Sequence, residues 1–190
     1  MKRAQPQGEL NGVCFFQSLI FGMMYYERQK KPKPPLDYKS ALQKVADYCA
    51  YQERSQQQVR DKLYDYGLHH DEVEEAISEL ITQGFINEER FARAYVRGKF
   101  RMRGWGRNKI RQGIRQHKIS DYCLRKGFEE INPKAYYEKL LEHTEKKYCS
   151  ISANSEYIIK GKLTQHLMGK GFEGDLIREA IEEVLSKGGD

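Results

Sequence analysis

One pattern of apolar residues occurs three times along this chain, and this repetition limits its fold more than any other feature. A shift of 51 residues aligns the second copy with the first, and the third copy contains one insertion of four residues. The first copy holds Val59, Leu63, Tyr66, Leu68, Val73, Ala76, Ile77 and Leu80, the second holds Ile110, Ile114, His117, Ile119, Leu124, Gly127, Phe128 and Ile131, and the third holds Ile159, Leu163, Phe172, Ile177, Ala180, Ile181 and Val184. Four residues are about one helical turn, so we predict a longer middle helix in the third copy.

A further helical pattern precedes each copy, so that each repeat consists of three helices. Residues suited to helix starts are Ser55, Ser120 and Asp175, and residues suited to helix ends are Gly67, Gly84 and Gly171. Runs of alternating β-branched residues, which would predict strands, do not occur in the sequence. We predict an all-α fold of three tandem three-helix, helix-turn-helix-like repeats that form an elongated nine-helix array, with repeats at residues 36–86, 87–131 and 132–190.

The first 35 residues differ from the repeats. Residues 13–26 are apolar, but 14 residues are fewer than the roughly 20 that a membrane-spanning helix needs. Three interpretations stay open: a helix that docks on the body, a membrane-surface anchor, or residues that precede a true start at Met23 or Met24. The first and third are favoured, so no membrane partner is predicted. Residues 30–35 are rich in lysine and proline, which favours an extended linker.

The four cysteines are not spaced as a metal site or a disulfide framework. Cys14, Cys49, Cys123 and Cys149 are scattered along a chain of 190 residues, which is long enough to fold without disulfides. We therefore predict buried thiols and a reducing, cytoplasmic location.

Residues 90–118 carry eleven Lys and Arg residues and no Asp or Glu. The whole chain has a net charge of only +6, so the remainder of the chain is net negative and the basic character is local. A local excess of positive charge indicates a polyanionic partner. A solvated surface is the simpler interpretation of many charged segments, but such surfaces usually mix both signs.

Helical spacing arranges these charges on faces. An apolar stripe of Phe91, Ala94, Tyr95, Gly98 and Met102 lies beside an arginine stripe, and a second helix after Gly104, Trp105 and Gly106 repeats the arrangement. We predict that the two helices share one core and one cationic surface for a polyanionic partner. The predicted binding residues are Arg90, Arg93, Arg97, Arg101, Arg103, Trp105, Arg107, Lys109, Arg111 and Arg115.

Trp105 has two interpretations. A single tryptophan between two glycines usually fills a gap between helices, and we favour that role. The alternative is an exposed ring that stacks on a base or inserts into a partner.

Residues that would indicate catalysis are explained more simply by structure. The histidines have no Cys or carboxylate at metal-ligand spacing, and the acidic pairs at residues 71–75 and 88–89 open helices, where negative charge favours the dipole. The sequence around Trp105 lacks the strand and the lysine of a phosphate-binding loop. We predict no enzyme, no metal and no cofactor.

Several motifs, weak singly, are fairly specific in their order and spacing. They are Ser55 with Val59, Lys62, Leu63 and Gly67; the stretch GFINEERFA at residues 84–92; Arg103, Gly104, Trp105 and Gly106 followed by Ile110; and Lys170, Gly171 and Phe172 before the last helix. With these motifs, residues 40–185 resemble the RecX family of recombination regulators. Two features depart from the family pattern: Lys118 stands where the family usually has glycine, and residues 150–155 are an atypical entry to the third repeat.

The resemblance implies a modulator, mainly an inhibitor, of the RecA recombinase in the regulation of DNA repair. Such a protein binds the RecA filament on single- or double-stranded DNA, lies along the filament groove and restrains filament growth, ATP hydrolysis and strand exchange. A cytoplasmic monomer is expected.

The alternative function is direct, sequence-tolerant DNA binding by a helix-turn-helix. Residues 107–118 would then be the recognition helix, and Arg107, Asn108 and Lys109 would lie at its start, where bases are read. The uneven distribution of charge argues against this alternative, because repeats one and three are much poorer in net positive charge.

Overall fold

A computed structural model describes residues 34–153 and 155–187, and residues 13–26 lie outside this part. The described residues form nine α-helices and no strand, in three successive groups of three. The helices are α1 Tyr38–Tyr51, α2 Gln56–Asp65, α3 His70–Thr82, α4 Glu88–Arg103, α5 Arg107–Ile114, α6 Asp121–Phe128, α7 Pro133–Tyr148, α8 Glu156–Lys170 and α9 Gly174–Lys187. The predicted all-α class and the three tandem three-helix repeats are confirmed. Within the same residues, no helix is long and apolar enough to span a membrane.

The predicted helix ends are mostly correct. Ser55 forms a capping box at the start of α2, because its hydroxyl accepts from the Gln58 N–H and the Gln58 side chain accepts from the Ser55 N–H. Ser120 caps α6 in the same position. Asp175 was wrongly predicted as a cap: α9 begins at Gly174, so Asp175 lies inside the first turn, where its charge favours the helix dipole.

Among the described residues, the buried apolar side chains form two separate cores. The first core belongs to repeat one alone and the second is shared by repeats two and three. Most of the aligned positions are buried as the repetition predicts, and Tyr66, Ile119, Phe128 and Ile159 are half-buried instead. Repeat one is therefore not stacked into one continuous core with its neighbours.

The middle helices differ in length as the insertion predicts. Helix α8 has 15 residues, whereas α2 has 10 and α5 has 8. Helix α5 continues into a 3₁₀ turn at Arg115–His117, which ends at Lys118 with φ 53°. Lys118 is the only residue other than glycine with a positive φ in the described part of the chain. It therefore adopts the conformation that the expected glycine would adopt.

Helix α4 buries a different face from the predicted one. Its buried residues are Phe91, Ala92, Val96 and Phe100. Met102, predicted to lie in the core, is 85% exposed. The reason is the close contact of α4 with α6, where a Cβ on Gly127 would lie only 2.9 Å from the Ala92 carbonyl oxygen. The predicted stripe therefore lies beside the core face.

Of the three cysteines that the structure describes, one is buried as predicted. Cys49 is buried in the first core, and burial raises the pKa of its thiol to about 11. Cys123 is half-buried, and Cys149 is exposed at the end of α7, contrary to the prediction. Cys14 lies outside the described residues.

Candidate partner-binding surface

Three of the predicted binding residues on α4 form ion pairs within the protein. Arg90 Nε lies 2.8 Å from Glu53 Oε1 in the loop that follows α1. Arg93 Nη1 lies 2.8 Å from Glu130 Oε1, and Arg97 Nη1 lies 3.5 Å from the other oxygen of Glu130. The hydrogen bond to Glu130 raises the pKa of Arg93. The predicted arginine stripe is thus partly neutralised by carboxylates from outside the basic segment.

The start of α5 contacts the end of α8. The Gly106 N–H donates to the Lys170 carbonyl over 2.9 Å, and the Asn108 N–H donates to the Gly171 carbonyl over 3.0 Å. These are groups that a helix end leaves without intrahelical partners, and the two opposed ends satisfy each other. A Cβ on Gly106 would collide with Gly171, so the approach requires glycine.

Two more predicted residues belong to this contact between α5 and α8. Arg107 Nη1 lies 3.2 Å from Glu173 Oε1, and its guanidinium carbon lies 4.0 Å from the centroid of the Tyr136 ring. The Tyr136 hydroxyl accepts from the Arg107 N–H and donates to Glu173. Burial, together with the hydrogen bond to Glu173, raises the pKa of Tyr136. Lys109 Nζ donates to the Gly169 carbonyl over 2.8 Å, so both cations join repeats two and three.

Four predicted arginines remain exposed and form no ion pair in the described part of the chain: Arg101, Arg103, Arg111 and Arg115. The first two lie in the last turn of α4, and the other two lie on α5 and its 3₁₀ turn. The guanidinium of Arg111 is 5.2 Å from the centroid of the Phe128 ring. We call these four residues the unpaired arginines. They are the part of the basic segment that is most available to an anion.

Trp105 is half-buried against the core of repeats two and three. Its ring covers Gly113, where an added Cβ would lie 3.2 Å from Trp105 Cζ3. The ammonium groups of Lys99 and Lys109 lie 5.0 and 5.2 Å from the ring centroid. This geometry fits the interpretation of a ring that fills a gap between helices, with cations over its faces.

A groove of about 450 Å³ separates repeat one from repeat two. One wall is the loop between α1 and α2 with the start of α2, and the other is the predicted apolar stripe of α4 with the end of the 3₁₀ turn. Beside the groove, Ser55 Oγ lies 3.0 Å from His117 Nδ1. Burial lowers the pKa of His117, which favours the neutral ring, and a neutral ring can accept from the Ser55 hydroxyl. We call this feature the inter-repeat groove.

No group of three or more His, Cys, Asp or Glu residues is placed to hold a metal ion within residues 34–153 and 155–187. The two most buried histidines pack against aromatic rings. The His117 ring centroid lies 5.0 Å from that of Phe91, and the His143 centroid lies 6.0 Å from that of Phe172. Burial also lowers the pKa of His143.

Three models of RecX domains match the chain in order. The first three-helix domain matches residues 41–80, the second matches residues 87–126 and the third matches residues 135–181. The chain belongs to the RecX family. Together the three matches include residues of every helix from α1 to α9.

Curated relatives and solved structures agree with this assignment. The regulatory protein RecX of Prosthecochloris aestuarii is 28% identical over 150 residues, which are 79% of this chain and 97% of that protein. The regulatory protein RecX of Bacillus mycoides is 28% identical over 80% of this chain, which spans only 56% of that longer protein. The crystal structure of RecX from Lactobacillus salivarius superposes with a TM-score of 0.70 at 28% identity, over 78% of this chain and 96% of that one. The chain is thus a member of a family of regulatory proteins.

The RecX motifs in this chain lie at helix caps and at the turns that connect helices. Asn87 caps α4 by accepting from the Arg90 N–H, and the Arg90 side chain donates to the Gly84 carbonyl over 2.9 Å. Gly104 ends α4 in a left-handed conformation. Because these residues shape the backbone, the motif does not by itself mark a binding surface.

The ion-pair partners Glu53, Glu130 and Glu173 were not among the predicted site residues. Each lies outside the basic segment, and its arginine partner is 37 to 66 residues away in sequence. A count of charges along the sequence carries no signal for such pairs. Only the packing of the three-helix repeats brings them together.

Proposed function

We propose that this chain is a modulator, mainly an inhibitor, of the RecA recombinase that binds the RecA–DNA filament and restrains its growth, ATP hydrolysis and strand exchange. The ordered match of all three RecX domains carries the proposal. The unpaired arginines support it, because a filament wrapped on DNA presents phosphates to a cationic surface. Contact with single- or double-stranded DNA is then part of filament binding.

The contact between α5 and α8 counts against the alternative of direct helix-turn-helix DNA binding. In that alternative, the first residues of α5 enter the major groove and read bases. Here the Asn108 N–H is bonded to Gly171, Arg107 is paired with Glu173, and Lys109 is bonded to Gly169. A recognition helix reads bases with its side chains, and those of Arg107 and Lys109 are already bonded to repeat three.

The test is a charge-reversed variant in which Arg101, Arg111 and Arg115 are replaced by Glu. All three are exposed, so we expect each change to alter stability by no more than about 0.5 kcal/mol. The wild type should inhibit RecA ATP hydrolysis at concentrations where it binds bare DNA weakly, and the variant should lose this inhibition. Its residual binding to bare DNA should have a salt dependence lower by about three units in a log–log plot, one for each lost phosphate contact.

A matched control carries the same change of net charge elsewhere. Lys39, Lys44 and Lys162 are exposed, lie outside the basic segment and form no ion pair in the described residues, so their replacement by Glu should leave inhibition intact. Arg93 and Arg107 are left unchanged because their reversal would place a carboxylate beside Glu130 or Glu173. Inhibition that appears only when the protein is abundant enough to coat the DNA would contradict the proposal and indicate competition for DNA.

A further inference from the structure

The inter-repeat groove has an apolar floor that the core does not use. Helix α4 places Ala94, Gly98 and Met102 at intervals of four residues along the groove. Met102 is 85% exposed, and a Cβ added to Gly98 would have no atom within 4 Å. A flexible methionine beside open space suits an apolar side chain from a partner, because methionine adapts to irregular surfaces.

The rim of the groove is positively charged. Arg54, Lys99 and Arg103 line it and form no ion pair among the residues that the structure describes. The carboxylate of Glu53 also lines the groove, but Arg90 holds one of its oxygens at 2.8 Å. The groove therefore offers three cations around an apolar floor, which favours a ligand with carboxylates beside an apolar group.

The aromatic rings of the groove are poorly placed for nucleic acid. Base stacking on a protein needs a ring with a free face. Phe91 and His117 are buried and meet each other edge to face, and the ammonium of Lys99 lies 5.1 Å from the centroid of the Tyr95 ring. A helical or extended protein segment that inserts an apolar side chain needs no free ring face, so it fits this floor better.

We propose that the inter-repeat groove binds an acidic, amphipathic segment of the recombinase protein. An apolar side chain of that segment rests on Gly98 and Met102, and its flanking carboxylates face Arg54, Lys99 and Arg103. This inference rests on the proposed function, since the partner is the same recombinase. It assigns the contact with the recombinase protein to the inter-repeat groove, which is a different surface from the one that carries Arg111 and Arg115. Residues 13–26 of this chain are a poorer occupant because they contain no Asp or Glu, and the five residues that follow hold one carboxylate, Glu27, against the three cations Arg28, Lys30 and Lys31.

The test fills the groove in the full chain with Gly98→Leu. Leucine favours helix more than glycine does and enters open space at this position, so α4 should keep its structure. The matched control is Gly161→Leu, because Gly161 also lies inside a helix with no atom near its added Cβ, but on α8 and away from the groove. Affinity is measured with labelled protein on preformed RecA filaments and on bare single-stranded DNA.

A second pair of variants tests the charge requirement. Met102→Glu adds a carboxylate to the groove, and Met168→Glu adds one on α8, where Met168 is 61% exposed. We expect Gly98→Leu and Met102→Glu each to weaken filament binding by about tenfold or more, and both α8 controls to stay within about twofold of the wild type. Gly98→Leu should bind bare single-stranded DNA as the wild type does.

Four different results would contradict the groove proposal, and each has a different meaning. Filament binding by Gly98→Leu at wild-type strength would remove the groove as a docking site and leave the proposed function standing. Loss of DNA binding alone would assign the groove to nucleic acid, and tighter filament binding would indicate that a segment of this chain normally covers it. If the wild type itself fails to bind the filament, both the groove proposal and the proposed function are wrong.

Discussion

Lys118 adopts a backbone conformation that glycine adopts more easily. Its φ of 53° and ψ of 43° lie in the left-handed region, and its N–H donates to the Arg115 carbonyl over 3.1 Å. For a residue with a Cβ, the left-handed conformation is less favourable by about 1–2 kcal/mol. The chain accepts this cost because it must leave the 3₁₀ turn and reach Ser120, the cap of α6, within two residues.

Replacing Lys118 by glycine should therefore stabilise the protein. Relief of the left-handed strain outweighs the greater flexibility of glycine in the unfolded chain, which leaves a gain of about 0.5–1 kcal/mol in the free energy of unfolding. Lys118→Ala is the control, since it removes the same charge but keeps the Cβ. Denaturant titration of both variants should show the gain for glycine only, and an equal gain for alanine would attribute the effect to charge.

At the scale of residues, the sequence predicts what depends on local chemistry. Ser55 and Gly171 were predicted as helix boundaries because a hydroxyl cap and a left-handed glycine act on their own backbone. The ion pairs of Arg93 and Arg107 were not predicted, because their carboxylates come from other helices. For the same reason, the number of cations available to a partner depends on the tertiary structure.

At the scale of elements, the contact between the start of α5 and the end of α8 joins repeats two and three. It combines backbone hydrogen bonds, the Arg107–Glu173 pair and a close approach at Gly171, where a Cβ would collide with the backbone of Lys109. The insertion in the sequence predicts the length of α8, but periodicity alone does not show which residues its end contacts. The face of α4 was misassigned for a related reason: Phe91 and Tyr95 fit both the predicted stripe and the neighbouring core face.

Two alanine variants can separate the contribution of the Gly171 contact to stability from the contribution of its backbone conformation. Gly171 has φ 88° and Gly84 has φ 76°, so an alanine at either position is strained by roughly 1–2 kcal/mol. Nothing lies within 4 Å of a Cβ at Gly84, whereas Gly171→Ala also pushes α5 and α8 apart. We expect Gly171→Ala to lower the free energy of unfolding by about 1–3 kcal/mol more than Gly84→Ala does. Equal losses in denaturant titrations would mean that the two helix ends separate at no cost.

At the scale of the whole molecule, the two cores explain where the inter-repeat groove lies. Leu63 belongs to the core of repeat one, and Leu163 belongs to the core that repeats two and three share. Few apolar side chains are left to fill the boundary between repeats one and two, where Ser55 bonds His117 and Glu53 bonds Arg90. The sequence repetition predicts the three units, but it does not predict this break, because most of the aligned positions carry apolar residues in all three repeats.

Two core substitutions should then act on different parts of the molecule. Leu63 and Leu163 occupy equivalent positions and are both 0% exposed, so replacing either by alanine should cost about 2–5 kcal/mol. Because the cores are separate, Leu63→Ala should lower hydrogen-exchange protection in α1 to α3 and spare α7 to α9, whereas Leu163→Ala should lower it across α4 to α9 and spare α1 to α3. A uniform loss of protection from either variant would show that the boundary couples all three repeats into one cooperative unit. Unchanged thermal melts for both variants would show that the two leucines are not core residues.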